Sequence, residues 1–129
     1  MAIITIIGAG NGAHALAADC KLGGAQVRMV EFTRFHNKVK GILNSRRICF
    51  EGIEMNHENF KRNGTAVIDM VTYDMREAVH GANHILVSAQ AQGFEKIFEE
   101  LAPLLEHGQT VSIFPDNFGS LILRRIMRE

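Results

Sequence analysis

Apolar residues run almost unbroken from Ile3 to Ile7, stop at Gly8-Ala9-Gly10-Asn11-Gly12-Ala13, and return at helical spacing as Ala13, Leu16, Ala17 and Cys20. The pattern predicts a buried strand, a glycine turn and a helix over 11–22, which Gly23-Gly24 ends. A second apolar run over 27–32 predicts a parallel strand buried on both faces, in which Arg28 must reach an edge or a partner. Thr33 caps a second helix carrying Phe35, Val39, Ile42 and Leu43. Beyond it Ile48, Phe50, Ile53 and Met55 alternate on either side of Glu51-Gly52, which predicts a small antiparallel hairpin inserted in the crossover.

Strand character resumes over 66–72. Asp74 and Glu77 have the spacing of a capping box, opening a short helix that Gly81 ends. A fourth main strand over 84–89 leads to a helical stripe of Phe94, Ile97, Phe98, Leu101 and Leu105, which Pro103 divides into a helix and one further turn. A fifth strand over 109–114 precedes a last helix, capped by Asp116 or Asn117, with Leu121, Ile122, Leu123, Ile126 and Met127. Strands alternating with helices imply an α/β chain. Its parallel sheet is covered on both faces as a three-layer sandwich, and ligands meet it at the carboxyl ends of the strands.

Composition narrows the partners. The 129 residues suit one domain over 1–129, and 14 basic residues cancel 14 acidic ones, which removes any general attraction to nucleic acid or an anionic membrane. No stretch approaches the ~20 apolar residues that span a bilayer, and residues 2–7 are too short for a signal-peptide core. Cys20 and Cys49 have neither a CxxC partner nor histidine spacing, so they are read as reduced thiols in a cytoplasmic protein. Asn56-His57-Glu58-Asn59 is read as a polar loop and not as a metal site, since no second cluster supports it.

The first third of the chain carries the chemistry. Strand, glycine turn, helix and second strand closing on an acid are the order a dinucleotide site requires in a Rossmann-type doubly wound sheet. Gly8 permits the tight turn, Gly10 removes a Cβ that would keep a pyrophosphate from the backbone, and Ala13 lets the helix lie close to the sheet. The turn as a whole, Gly8, Ala9, Gly10, Asn11, Gly12 and Ala13, is thus expected to hold the cofactor through the free amides and the dipole of the following helix. Glu31 lies nineteen positions beyond Gly12, matching the ~20-residue spacing of a carboxylate that grips the adenosine ribose. That carboxylate repels a 2′-phosphate, so NAD is expected. Arg34 keeps NADP open because a guanidinium clamps such a phosphate, although Arg34, Lys38 and Lys40 equally fit the wet face of the second helix. Topology places the nicotinamide half beside 88–90, with Ala89 and Gln90, and beside 115–117, with Pro115 and Asn117.

These residues also resemble a family. Gly8 to Ala15 with Asn11 inside the turn, the run HILVSAQAQGFEKIFEELAPLL and the segment HGQTVSIFPDNFGSL look like the N-terminal cofactor domain of the octopine, nopaline and related opine dehydrogenases. Asn11 followed by His14-Ala15 is the more specific part, the rest being shared with ketopantoate reductases and glycerol-3-phosphate dehydrogenases. The resemblance implies NAD(P)-dependent hydride transfer in the reductive coupling of an amino acid to a 2-oxo acid. It also implies a C-terminal domain carrying the catalytic histidine, so no catalytic residue is assigned within 1–129, and a catalytic domain or subunit is expected as partner. His14 is read as an exposed first-turn residue, His107 as favouring a helix C-terminus, and His36, His80 and His84 as lacking an evident partner. Three alternatives are a stand-alone module that senses the dinucleotide without chemistry, the cofactor domain of a ketopantoate-reductase-like or glycerol-3-phosphate-dehydrogenase-like enzyme, and a flavin-type nucleotide domain, which a yellow protein would mark.

Without such a partner, Phe118, Leu121, Ile122, Ile126 and Met127 are expected to leave an apolar patch that drives self-association into a homo-oligomer. Light scattering across a range of concentrations checks this. Mass should rise with concentration, and a strict monomer at every concentration would end the idea.

Overall fold

The computed structural model describes residues 1–32, 36–51, 63–115 and 118–129, with 36–40 described by backbone alone. Among the described residues, seven strands and five α-helices follow in the order β1 (Ile3–Ile7), α1 (Asn11–Leu22), β2 (Gln26–Val30), α2 (His36–Ser45), β3 (Arg47–Glu51), β4 (Asn63–Val67), β5 (Met70–Thr72), α3 (Met75–Val79), β6 (His84–Ser88), α4 (Phe94–Leu101), β7 (Thr110–Phe114) and α5 (Gly119–Met127). Five strands form one parallel sheet in the order β5-β2-β1-β6-β7, and β3 pairs with β4 in a separate antiparallel ribbon. The doubly wound sheet read from the sequence is therefore present. Its winding reverses between β1 and β6.

Each face of the sheet has its own core. On one side Ile6, Val27 and Met29 meet Ala13, Ala17 and Ala18 of α1, together with Ile42, Ala66 and Ile68. On the other side Val30, Ile85 and Val87 meet α3, α4 and Leu123 of α5, with Phe94 and Phe98 stacked at 5.4 Å between ring centroids. Ala17 and Ala18 are both fully buried because α1 is covered twice, by the sheet beneath it and by the β3–β4 ribbon against it. A helix enclosed in this way needs small residues on more than one side, which is what its alanines supply.

Thr5 in the middle of β1 and Arg28 in the middle of β2 interrupt these apolar strands, and both serve the same purpose. Thr5 Oγ1 donates to the carbonyl of Ala78, while Arg28 Nη1 reaches the carbonyls of Ala78 at 3.3 Å and His80 at 2.5 Å. These carbonyls close the carboxyl end of α3, where helical acceptors lack intrahelical partners and a cation is favoured. At the other end of α3 the Asp74 carboxylate accepts from the amides of Arg76 and Glu77. Glu77 does not complete the reciprocal half of the capping box. Its carboxylate accepts instead from Thr72 Oγ1, whose oxygen accepts from the Asp74 amide.

The structure corrects the hairpin. Its two strands are 47–51 and 63–67, in register Glu51 to Asn63 and Arg47 to Val67, so the strand expected over 66–72 is divided between the ribbon and β5. Glu51 is still paired, so the chain does not turn there as expected, and Gly52, Ile53 and Met55 lie outside the described residues. Inward-facing Ile48 and Phe50 lie against the side of α1 that carries Leu16, Cys20 and Leu22, and this burial sets the register. Thr33, Phe35, Asp116 and Asn117 likewise lie outside the described residues. The N-cap position of α5 is Phe118, in left-handed conformation and with no side-chain cap. Along α5 Leu123 is buried and Ile122 and Ile126 pack partly on the core, whereas Phe118, Leu121 and Met127 are exposed.

Asp69 joins three parts of the fold. Its carboxylate accepts from the Val27 amide at 2.8 Å and from Lys21 Nζ at 2.9 Å, while its carbonyl accepts from Arg46 Nη1 at 3.2 Å. Burial opposes its ionisation, but the Val27 amide and Lys21 outweigh that and hold its pKa below the ordinary 3.8. A depressed pKa stabilises the folded state fully above 3.8, and that contribution disappears as pH falls through the lower folded-state value. Asp69→Asn should cost about 1–2 kcal/mol near neutral pH, with the deficit closing below pH 4. Urea denaturation at several pH values measures the difference. A gap that persists undiminished in acid would contradict this account.

Candidate functional site

Where the winding reverses, β1 delivers the chain into a confined turn. Gly8 donates its amide to the Val30 carbonyl at 2.8 Å and adopts φ of 122°, and a Cβ there would stand 2.3 Å from the Ser88 carbonyl oxygen. The ends of β2 and β6 thus leave room only for glycine. Ala13 is fully buried beneath the turn, so the start of α1 sits directly on the sheet. Gly12 is also crowded, with Ser88 Oγ 3.1 Å from where its Cβ would be.

Gly10 is different. It occupies the N-cap position of α1 in extended conformation, caps nothing with a side chain, and a Cβ added there would meet no protein atom within 4 Å. The first helical bond runs from the His14 amide to the Gly10 carbonyl at 3.0 Å, leaving the amides of the first turn without intrahelical acceptors. An open space beside free amides at the positive end of a helix suits an anion.

A cleft of about 540 Å³ extends from this point along the strand ends. Of the residues singled out from the sequence, Gly8, Gly10, Asn11, Gly12, Glu31, Ala89, Gln90 and Pro115 line it. Ala9 and Ala13 are buried behind it, and Arg34 and Asn117 lie outside the described residues. Glu31 is 8% exposed, and its carboxylate accepts from the amide of Ala9 at 3.1 Å and from that of Phe32 at 2.9 Å. Gln90 Oε1 accepts from Gln92 Nε2 at 2.6 Å.

Sequence reasoning left several lining residues out of the site. Phe32 and Ile97 give the cleft apolar wall, Phe114 adds to it beside Pro115, and Gln92 and Gly93 bring in the turn ahead of α4. Ser88, which topology had put near the nicotinamide half, also lines it. Gln92 and Gly93 had a usable signal, since they open the helix after β6 just as Gly10 to Gly12 open the helix after β1. Phe32 and Ile97 had none beyond their core periodicity.

No histidine among the described residues lines the cleft. His14 is half-buried and not exposed as expected, its Nδ1 2.9 Å from the Gly10 carbonyl, and it does not line the cleft. His80, expected to lack a partner, pairs with Glu106 at 2.8 Å. The Gly81 amide and then His80 hold the Glu106 carboxyl below its usual range. The stretch 56–59 lies outside the described residues, and no helix among the described residues is long and apolar enough to cross a membrane.

Residues 3–114 match the model of the NAD-dependent glycerol-3-phosphate dehydrogenase N-terminus. The chain belongs to that family. NAD is the dinucleotide of this family, as expected. An opine dehydrogenase of Arthrobacter sp. (strain 1C) is 31% identical over 125 residues, covering 96% of this chain and 32% of that protein. Octopine dehydrogenase solved with NADH and L-arginine superposes with a TM-score of 0.80 at 19% identity, over 98% of this chain and 32% of its own. Glycerol-3-phosphate dehydrogenase of Coxiella burnetii gives 0.70 at 16% identity, over 99% and 38%. The resemblance to opine dehydrogenases read from Asn11, His14 and the later segments is borne out, and the two solved structures show the fold. This chain spans about a third of the length of these relatives.

The two glycines at either end of the turn should respond in opposite ways. Gly8→Ala, which drives a methyl into the Ser88 carbonyl at positive φ, should cost about 2–4 kcal/mol, whereas Gly10→Ala should stay within about 1 kcal/mol. Denaturant unfolding of both variants checks this, and equal losses would refute the close approach at Gly8.

Proposed function

We propose that the domain binds NAD along this cleft as the cofactor half of an opine-dehydrogenase-like oxidoreductase. The pyrophosphate is held by the first-turn amides of α1 at Gly10, Asn11 and Gly12, in the turn that Gly8, Ala9 and Ala13 shape. Glu31 takes the adenosine ribose. The nicotinamide half lies toward Ala89, Gln90, Pro115 and Asn117. Bound NADH would supply a hydride for joining an amino acid to a 2-oxo acid.

The observation that carries this reading is the vacant Cβ position at Gly10, opening on uncapped amides in a cleft that ends at a buried acid. The kinship with the Arthrobacter protein supports the opine-type chemistry, and the family match favours one second reading, the cofactor domain of a glycerol-3-phosphate-dehydrogenase-like enzyme. The two share the cleft and differ in substrate. In either case the substrate-selecting and catalytic groups belong to a domain or subunit corresponding to the two-thirds of the relatives that this chain does not span. A cytoplasmic setting goes with that reading.

Calorimetric titration tests it. The domain should bind NADH, and NADPH about tenfold or more weakly, because a 2′-phosphate would meet the Glu31 carboxylate. Gly10→Val should keep the melting temperature within a few degrees and lose NADH by about a hundredfold, since its side chain occupies the anion's place. A wild-type protein silent to both dinucleotides would overturn the proposal, and a preference for NADPH would overturn the role given to Glu31.

A further inference from the structure

Glu31 stands where the ribose is expected, yet each of its carboxylate oxygens already holds a backbone amide. Oε1 accepts from Phe32, its own neighbour, whereas Oε2 reaches across from the end of β2 to the amide of Ala9 inside the glycine turn. One residue earlier the Gly8 amide is held by the Val30 carbonyl. Two successive amides of the turn are therefore fastened to two successive residues of the second strand's end. A segment with glycines at 8, 10 and 12 has unusual backbone freedom, and these two bonds remove it just ahead of the helix start. Ala9 is 3% exposed, so without the carboxylate its amide would be left buried and unsatisfied.

We propose that Glu31 is a positioning residue for the anion site, bracing the glycine turn through Ala9 so that the first-turn amides of α1 are set for a diphosphate before any sugar arrives. The inference rests on the dinucleotide reading and deepens it. A carboxylate offers about four acceptor sites, so two amides leave capacity for ribose hydroxyls. One side chain then serves both halves of the same ligand, the sugar directly and the diphosphate through the backbone. It follows that removing the acid to admit a 2′-phosphate also loosens the cradle for the diphosphate, and cofactor preference is not reversed by that single change.

The brace and the sugar contact are separable with a ligand that lacks both hydroxyls of the adenosine ribose. Wild type, Glu31→Ala and Glu31→Gln are titrated below their melting temperatures with NADH and with its 2′,3′-dideoxyadenosine analogue, and amide hydrogen exchange at Ala9 is followed in the ligand-free proteins. Glu31→Ala should weaken the analogue by about tenfold or more and speed exchange at Ala9 by a similar factor, with Glu31→Gln, which keeps one acceptor oxygen, in between. Analogue affinity that agrees within about twofold between wild type and Glu31→Ala would overturn the proposal, even if the variant melts at a lower temperature. So would an Ala9 amide that exchanges as fast in the wild type as in the variants. Silence of the wild type toward NADH would count against the cofactor reading, while the exchange measurement would still judge the brace.

Discussion

The arrangement depends on one close approach, that of the Gly8 backbone to the carbonyl of Ser88. Two neighbouring parallel strands, β1 and β6, send their connections to opposite faces of the sheet, and the gap between those connections is the cleft. Had residue 8 carried a side chain, β6 would be pushed away, Ala13 would lose its seat, and the start of α1 would no longer point along the strand ends. Steric exclusion at a single Cβ position therefore decides where a set of free amides is aimed. The hydrogen bond from Gly8 to Val30 completes the constraint by fixing the turn on its other side.

The helix that starts there is unusual in being enclosed. A surface helix on a doubly wound sheet would show one apolar stripe, but α1 is pressed between the sheet and the β3–β4 ribbon, so Ala17 and Ala18 are both buried. The ribbon in turn is secured at its exit by Asp69, which reaches back to Lys21 at the end of α1 and to Val27 at the start of β2. Through these links the ribbon holds α1 against the strands that feed the cleft. It contributes Phe50 to a second, more apolar hollow beside Leu16 and Pro115, adjacent to the first.

What was legible in the sequence follows from which constraints are local. The bounds of α1, the five sheet strands in outline, the break at Pro103 and most of the cleft were readable because each rests on contiguous signals: an apolar run, a glycine cluster, a helical stripe. The ribbon was misread because its second strand begins Asn63-Gly64, which has little strand propensity of its own and is held there by pairing with residues 50–51. Local alternation across Glu51-Gly52 offered a nearer partner, and the tertiary contact with α1 won. The start of α5 escaped for a related reason. Gly119 fits so tightly against the Phe94 ring and Ile113 that the helix begins where packing allows, after a left-handed Phe118, and not where a polar cap was available. Glu31 was found by its spacing, but its bond to Ala9 exists only once β1 and β2 lie side by side.

The chemistry of the cleft wall bears on how such a domain is used. Among the described residues, Glu31 is the one ionisable side chain that lines it, with Ser88 contributing a hydroxyl and Asn11, Gln90 and Gln92 contributing amides. Everything else is backbone, aliphatic or aromatic. A wall of this kind binds and orients well, since amides and carbonyls are fixed by the sheet and carry no protonation state to be tuned. It is poorly equipped to move a proton, which calls for a group whose pKa lies near the working pH within reach of the reacting atom. Glu31 is at the end proposed for the adenosine, with its oxygens committed to two amides. In the proposed reading, an oxidoreduction that couples a proton to its hydride would draw that proton from groups outside the described wall. This division of labour fits a fold found in relatives of several substrate classes, because the same backbone cradle serves whatever supplies the acid and selects the substrate.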